Sequence, residues 1–309
     1  MNALSPVAIV GAGAVGTALA RGLANAGVSV GAVVSRNPTS ARNLADDVGA
    51  PVSGRDLAVL PDETRFVLLC VPDDAISDVA AALAGERHSW SHTVVAHTSG
   101  AKGAEVLAPL AEKGAAILSF HPLQTFAADR GPDAFEDIVI AVEGDDEAVS
   151  AGTSLAQALG ARPVVLTAQQ KALYHCAAAL ASNGLVALMA VVEELFAAAG
   201  VDDAEAPATD LVAPLVEQTW SNLRSSGPEG ALTGPVARGD ETTVEAHLQA
   251  LEGDAPHLIP LYAALSTEMV RTAVRGGQLD DDAAESLVKL LQTAMKAYSE
   301  GTGPPGGCR

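Results

Sequence analysis

Three glycines near the start of the chain have the spacing of a dinucleotide-binding turn. Gly11, Gly13 and Gly16 form Gly-x-Gly-x-x-Gly between a short apolar run at 7–10 and an Ala- and Leu-rich segment. In such a turn the first glycine permits the tight bend, the second lets the backbone approach a pyrophosphate, and the third lets the helix pack closely on the strand. A glycine turn without a ligand is the alternative. The predicted cofactor contacts are Gly11, Gly13, Ala14, Val15 and Gly16.

The residues after the second predicted strand favour NADP over NAD. An NAD site places Asp or Glu about 20 residues after the glycines, where it bonds the ribose 2′-hydroxyl. This chain has Ser35-Arg36-Asn37 there. Arg36 can stack on adenine and pair with a 2′-phosphate, to which Ser35 can donate a hydrogen bond. We predict NADP (NADPH) as the cofactor, with a solvated surface arginine as the alternative for Arg36.

A mostly apolar segment in the second half carries polar residues at helical spacing. His175 lies four residues after Lys171, and Asn183 lies eight after His175, so an α-helix would place all three on one face. Burying them is unfavourable unless they have partners or face a cleft. We predict that Lys171 protonates a substrate carbonyl while His175 and Asn183 orient the substrate. Satisfied polar groups at a subunit interface are the alternative.

Polar residues also follow other predicted strands, whose carboxyl ends should face one crevice. Thr98, Ser99 and Gly100 could bind a substrate carboxylate or a nicotinamide ribose, although ordinary turn chemistry explains them as well. His121 precedes a proline and could donate to a substrate oxygen or titrate near neutral pH, or could merely cap the turn. The remaining candidates are Val71, Pro72 and Asp73 beside the cofactor and Gln124 beside the substrate.

A parallel sheet is the element that would bring these residues together. Apolar runs alternate with helical segments through the first half, and the predicted strands cover 7–10, 28–35, 66–71, 93–97, 116–120, 138–142 and 163–166. Such alternation is typical of an α/β fold with a doubly wound parallel Rossmann sheet. After residue 166 the pattern is helical, beginning with one long predicted helix at 168–199. We expect a second, all-α domain.

Three segments follow from this pattern. They are an NADP-binding domain at 1–166, a helical substrate and dimerisation domain at 167–300, and a Gly/Pro-rich tail at 301–309 that is expected to be disordered. The predicted site lies in the cleft between the two domains. A homodimer is expected, because long apolar helices usually need another chain or domain to cover them.

Composition excludes several classes of function. The 309 residues contain 49% hydrophobic and only 3% aromatic residues, with a net charge of −20. Few stacking groups and strong repulsion of phosphate argue against nucleic-acid binding. Three unpaired cysteines without a Cys-x-x-Cys motif indicate neither disulfides nor a metal site.

The polar residues in the apolar segment around 173–192 argue against a membrane span, and no signal peptide is evident. We expect a cytoplasmic protein, whose acidity is compatible with either a halophilic or an ordinary cytoplasm.

The whole chain resembles the β-hydroxyacid dehydrogenase superfamily, which includes 6-phosphogluconate dehydrogenase-like proteins. The resemblance implies a Rossmann domain, a helical domain and a Lys-x-x-x-Asn motif with the lysine as acid or base. Here the matching residues are Lys171 and His175, so histidine replaces asparagine. Ser99-Gly100 resembles the substrate-binding Ser-Gly of hydroxyisobutyrate-type enzymes, and His121-Pro122 resembles the His-Pro turn of prephenate dehydrogenases.

Three strings resemble a narrower family, the Rossmann-like proteins with a C-terminal domain of unknown function 2520. They are SFHPLQTF, YHCAAALASNGLVAL from Tyr174, and ALTGPVARGD at 231–240. The resemblance implies NADP binding and a reductase-like site without naming a substrate. Arg238 in the last string is a candidate ligand for a substrate carboxylate, and an Arg238–Asp240 salt bridge is the equal alternative.

The sequence therefore predicts an NADP-dependent oxidoreductase that moves a hydride between NADP(H) and a small carbonyl or hydroxy-acid substrate. Two alternatives stay open. One is a non-catalytic NADP-binding sensor or subunit, which would bind NADPH without consuming it. The other is an enzyme like the deazaflavin-dependent NADP reductases, in which a second cofactor replaces the small substrate.

Overall fold

The computed structural model describes residues 4–126, 131, 133–201 and 207–301. The chain divides into two compact units, Met1–Gly184 and Leu185–Arg309. The predicted boundary at 166 stays a prediction; the first compact unit runs past it and includes the helix that carries Lys171. Most of the predicted tail, 302–309, lies outside the described residues.

The first unit is an eight-stranded sheet with helices on both faces, and the predicted fold class is confirmed. Its strands are β1 Val7–Val10, β2 Val30–Val34, β3 Val52–Gly54, β4 Phe66–Leu69, β5 Val94–His97, β6 Ala116–Pro122, β7 Val139–Gly144 and β8 Arg162–Val165. Its α-helices are α1 Ala14–Asn25, α2 Pro38–Val48, α3 Ile76–Gly85, α4 Ala108–Ala111, α5 Asp146–Ala158 and α6 Ala168–Ala179.

The strand order is β3-β2-β1-β4-β5-β6-β7-β8. All neighbouring pairs are parallel except β6 and β7, which run antiparallel. The sheet is therefore mostly parallel, and neither the antiparallel β6–β7 pair nor the three-residue strand β3 was predicted from the sequence. The order reverses at β1, so a crevice opens between the carboxyl ends of β1 and β4, where open α/β sheets bind ligands.

Alternating side chains of the central strands pack into two separate hydrophobic cores, one on each face of the sheet. Val7 and Ile9 pack on one face of the sheet, and Ala8 and Val10 pack on the other. The period of two places successive side chains on opposite faces, and both faces are covered, so the strands read as continuous apolar runs. The strand ends are thus held rigidly and can position polar residues beyond them.

The predicted long helix at 168–199 is not continuous. A π-helical turn at Leu180–Gly184 separates α6 from α7 Leu185–Ala198. Residues 168–198 are nevertheless long and apolar enough to span a membrane by length and composition, which is weak evidence taken alone. Long apolar helices were expected to be covered by another chain or domain; within this chain, Lys171 is the only buried residue of α6, and α7 has none.

The second unit is helical. After α7 it contains α8 Ala208–Ala231, α9 Glu241–Asp254, α10 Ile259–Arg275 and α11 Asp281–Glu300. Its core is formed by aliphatic residues of α9, α10 and α11, such as Val244, Val270 and Leu287. Helix α8 is kinked at Gly227, whose φ of +70° is not helical.

Candidate functional site

The glycine turn between β1 and α1 has the geometry of a dinucleotide cradle. Gly11 adopts a φ of +111°, and a Cβ atom there would lie 2.1 Å from the carbonyl oxygen of Cys70. A Cβ atom on Gly16 would lie 1.9 Å from the carbonyl oxygen of Gly11, whereas one on Gly13 would meet no atom within 4 Å. Gly16 therefore packs the helix on the turn, and Gly13 leaves open space. No side chain caps the N-terminus of α1, so its first N–H groups are available to an anion.

A cavity of about 530 Å³ opens over this turn. Two arginines lie on its wall, Arg36 after β2 and Arg55 after β3, and none of the described residues on the wall is acidic. Two guanidinium groups and the hydroxyls of Ser35 and Ser40 suit a 2′-phosphate better than a free 2′-hydroxyl. The residues present thus fit an NADP nucleotide. The lining residues are Val10, Gly11, Ala12, Gly13, Val34, Ser35, Arg36, Asn37, Ser40, Arg55, Leu57, Cys70, Val71, Pro72, Ala75 and Val79.

Several predicted cofactor residues thus line the cavity and others do not. Gly11, Gly13, Ser35, Arg36 and the pair Val71-Pro72 lie on its wall, while Ala14, Val15, Gly16 and Asp73 do not. Arg55 was missed because a three-residue strand with an exposed middle residue gives almost no periodic signal.

Lys171 lies in the first turns of α6, which begins with a capping box formed by Thr167 and Gln170. Its side chain is buried, and its Nζ donates to the hydroxyl of Ser119 at 2.5 Å and to the carbonyl oxygen of Ser99 at 3.2 Å. An ammonium carries three protons, so one N–H has no acceptor among the described residues. Burial lowers the pKa of Lys171, and the carboxylates of Glu143, Glu105 and Asp73 partly offset this effect. Neither Ser119 nor Glu143 was predicted from the sequence as a site residue.

The hydroxyl of Ser99 is fully occupied. It donates to Asp73 Oδ2 at 2.8 Å and accepts from the N–H groups of Ala101 and Lys102 at 3.2 and 3.1 Å. A hydroxyl has one proton and two lone pairs, so this Ser99 hydroxyl holds the turn after β5 and leaves no free donor for a substrate. The Asp73 carboxylate accepts the hydrogen bond from Ser99 on that turn and does not line the cavity.

A buried histidine, not among the candidates, fixes the same turn. His97 Nδ1 accepts from the N–H of Ser99 at 3.2 Å, and its Nε2 lies 3.0 Å from the carbonyl oxygen of Gly103. The acceptor role of Nδ1 places the proton on Nε2, so the ring is neutral. Burial lowers the pKa of His97 to about 4, in agreement with this assignment. Burial raises the pKa of the Cys70 thiol to about 12, an effect that the side chain of Thr98, on the same turn, partly offsets.

The rings of His121 and His175 lie next to Gly100, and Tyr174 contacts His121. His121 Nδ1 lies 3.1 Å from the hydroxyl of Tyr174, and the rings of His121 and His175 meet edge to face with centroids 6.0 Å apart. A Cβ atom on Gly100 would lie 2.5 Å from His175 Nδ1 and 2.7 Å from His121 Nε2. Burial lowers the pKa of His121 to about 4, so this residue does not titrate near neutral pH as its type alone suggested.

Other candidates lie outside this cluster. Asn183 is exposed within the π-helical turn, which breaks the α-helical spacing that aligned it with His175. Gln124 accepts from the N–H of Thr125 through its own side-chain oxygen at 2.9 Å. Arg238 belongs to the second unit, where its exposed guanidinium lies 4.0 Å from Asp240. The described residues contain no group of three or more His, Cys, Asp or Glu side chains arranged to hold a metal ion.

Two family models match the chain. The family model of the Rossmann-like domain matches residues 2–122, and the model of the domain of unknown function DUF2520 matches residues 138–269. No curated protein is similar enough in sequence to be matched.

Solved structures resemble the chain over most of its length. A candidate NADP oxidoreductase from Bacteroides fragilis is 27% identical, with a TM-score of 0.69, over 87% of this chain and 99% of its own. A Thermotoga maritima protein is 26% identical, with a TM-score of 0.70 and the same coverage. A reductive aminase from Aspergillus terreus, solved with NADPH, is 18% identical, with a TM-score of 0.57 over 96% of this chain and 94% of its own; it shares the fold.

The glycine turn gives a first prediction. Gly16→Ala is expected to lower the melting temperature by several degrees, because its Cβ would overlap the Gly11 carbonyl oxygen. Gly13→Ala is the matched control; its Cβ meets open space, so the melting temperature should change by less than about 1 °C while dinucleotide binding weakens. Thermal unfolding followed by circular dichroism and a fluorescence titration with NADPH measure the two effects. Equal melting temperatures for the two variants would contradict this packing role of Gly16.

Proposed function

We propose, from the premise that this chain belongs to the family of Rossmann-like proteins with a C-terminal domain of unknown function 2520, that it is an NADP-dependent oxidoreductase acting on a small carbonyl or hydroxy-acid substrate. The observation that carries the proposal is the hydrogen bond from Ser99 to Asp73, next to Pro72 of the cavity wall. This bond joins the nucleotide cavity to the cluster around Lys171. A reduction needs a hydride and a proton at adjoining positions, and this edge of the sheet provides for both.

The cavity residues would hold NADP(H) by its phosphates. The N–H groups at the start of α1 would bind the pyrophosphate beside Gly13, and Arg36 and Arg55 would bind the 2′-phosphate. The bound nucleotide supplies or accepts the hydride. The name of the related Bacteroides fragilis protein, an NADP oxidoreductase, supports this assignment.

Lys171 is the proposed central catalytic residue. Its remaining N–H can bind the substrate heteroatom and stabilise negative charge that develops there, and it was also the proton donor predicted from sequence. His121, His175 and Asn183 are proposed to position the substrate. Thr98, Gly100, Gln124 and Arg238 remain proposed substrate contacts, and Ser99 is proposed to act through its backbone, because its hydroxyl is occupied.

The proposed activity is tested by NADPH consumption with pyruvate, acetoacetate and 2-methyl-1-pyrroline, in low and in molar KCl. Lys171→Met is expected to lower kcat about 100-fold or more, because the charge facing the reacting heteroatom is lost. Its dissociation constant for NADPH should stay within about twofold, since Lys171 does not line the cavity. Lys113→Met, which removes an exposed ammonium of the same unit, is the control. Saturable NADPH binding without consumption of any substrate would refute the catalytic proposal and favour a sensor.

The two arginines give a prediction about cofactor choice. Arg36→Ala and Arg55→Ala are each expected to weaken NADPH binding by about 10- to 100-fold, because a charge-assisted hydrogen bond to phosphate contributes about 1.5–3 kcal/mol. NADH binding should change by less than about threefold, since NADH lacks the 2′-phosphate. Calorimetric titration with both nucleotides measures the difference, and Arg42→Ala, which lies outside the cavity lining, is the control. Equal losses for NADH and NADPH would contradict the assignment.

The apolar faces of α7 and α8 support a homodimer as the proposed assembly. Val186 is 70% exposed, Leu215 is 68% exposed and Trp220 is 63% exposed. Exposed clusters of large apolar residues are uncommon on monomers and mark interaction surfaces. A second copy of the same chain is the proposed partner, since two-fold assemblies are the commonest among soluble proteins.

The cytoplasm is the proposed location of the protein, because Cys70 and Cys176 would stay there as free thiols.

The double variant Leu215→Glu, Trp220→Glu is expected to shift the protein from dimer to monomer, because two charges would have to be desolvated in the interface. Light scattering during size-exclusion chromatography measures the mass. Lys113→Glu, an added acidic residue on an exposed position of the first unit, should leave the mass unchanged. A monomeric wild-type protein at micromolar concentration would contradict the proposed assembly.

A further inference from the structure

We propose that Tyr174 and His121 form the proton-donating pair of the reduction, with the phenol of Tyr174 as the donor. The inference rests on the proposed function and replaces Lys171 as the source of the proton. Tyr174 entered the sequence analysis only within a family string and was not a predicted site residue. It lies on α6, one turn after Lys171 and next to His175.

The pair is joined by a hydrogen bond. The Tyr174 hydroxyl and His121 Nδ1 are 3.1 Å apart, and the two rings meet edge to face with their centroids 5.7 Å apart and an interplanar angle of 86°. Both side chains are half-buried, so the pair is held in place and still reaches the surface of the unit. A proton lost by the pair can therefore be replaced from solvent.

The surroundings of His121 favour the tautomer with the proton on Nδ1. Its Nε2 lies against Gly100, where an added Cβ would come within 2.7 Å, and no hydrogen-bond acceptor for Nε2 is present among the described residues. A proton on Nδ1 has the Tyr174 oxygen as its acceptor, whereas a proton on Nε2 has no acceptor among the described residues. With its proton on Nδ1, His121 donates to the Tyr174 oxygen and leaves the phenolic O–H free to point at a substrate.

Two other proton-bearing groups nearby, Lys171 and His97, are less suited to the task. Lys171 is 2% exposed and directs two of its three N–H groups at Ser119 and Ser99. His97 is fully buried, and both of its nitrogens are engaged. Tyr174, in contrast, keeps its proton at every working pH, since burial raises its pKa to about 12. The ammonium of Lys171 then serves as a fixed charge that favours electron density on the substrate heteroatom.

In the proposed step, the hydride adds to the carbonyl carbon and the proton of Tyr174 adds to the carbonyl oxygen. The carbonyl carbon is reduced by the two electrons of the hydride, and the C=O π bond breaks as the oxygen takes the proton of Tyr174. The phenolic O–H bond breaks, and the resulting phenolate is stabilised by the Nδ1–H of His121. Solvent returns one proton to Tyr174, so the pair is unchanged after each turnover.

The chain offers a matched control for the test. Tyr262 and His247 form a second edge-to-face pair in the helical unit, with Nδ1 and the hydroxyl 2.9 Å apart and centroids 5.8 Å apart. Tyr174→Phe and Tyr262→Phe remove the same oxygen from the same kind of pair. Both are assayed for NADPH consumption with the most active of pyruvate, acetoacetate and 2-methyl-1-pyrroline, and for NADPH binding by fluorescence. Separately, nitrogen-15 NMR of the wild-type histidines reports the tautomer of His121 without any turnover.

Tyr174→Phe is expected to lower kcat at least about 100-fold, with NADPH affinity within about twofold of wild type, while Tyr262→Phe keeps both. The NMR spectrum should show His121 protonated on Nδ1. Activity of Tyr174→Phe within about threefold of an active wild type would overturn this inference alone, and so would a proton on Nε2 of His121, even if Tyr174→Phe failed to fold. A wild-type protein that consumes no NADPH would overturn the proposed function and this inference together.

Discussion

Burial of the Lys171 ammonium is the constraint on which the rest of the site depends. A lone charge in a protein interior is strongly unfavourable, so the surrounding groups must compensate it. Here the compensation comes from the Ser119 hydroxyl, the Ser99 carbonyl oxygen and nearby carboxylates, of which Glu143 is itself buried and accepts from the N–H of Ala104. These acceptors come from β5, β6, β7 and the loops beside them, so the charge can be held only when the sheet is assembled.

The same requirement explains the neutral histidines. His97 and His121 are both desolvated and feel the positive charge of Lys171, and both effects disfavour a second cation. His97 and His121 are therefore available as hydrogen-bonding groups of fixed protonation. A site of this kind orients groups by hydrogen bonds around the charge of Lys171, and it does not depend on titration of His97 or His121 near pH 7.

Local signals in the sequence predicted a large part of this arrangement. The glycine spacing, the apolar strand runs and the absence of an acidic residue after β2 are all short-range features, and they sufficed for the Rossmann sheet and for Arg36. The contacts that were missed are long-range. Ser119 meets Lys171 from 52 residues away, and Glu143 bonds a backbone N–H 39 residues away. Neither partner can be identified before the strand order is known, and the antiparallel β6–β7 pair gives no distinctive pattern because both strands are buried apolar runs.

Gly100 shows how such long-range packing restricts a single position. Its backbone does not adopt a left-handed conformation, so the chain itself would accept other residues there. The atoms nearest to an added Cβ belong to the imidazole rings of His121 and His175, which leave no room for a side chain. Residue 100 is therefore coupled to two positions far along the chain, and a larger residue becomes compatible with the fold only after both imidazoles have been replaced by smaller groups. Among diverged relatives, these three positions should change together or not at all, so their covariation would record the packing of β6 and α6 around the turn.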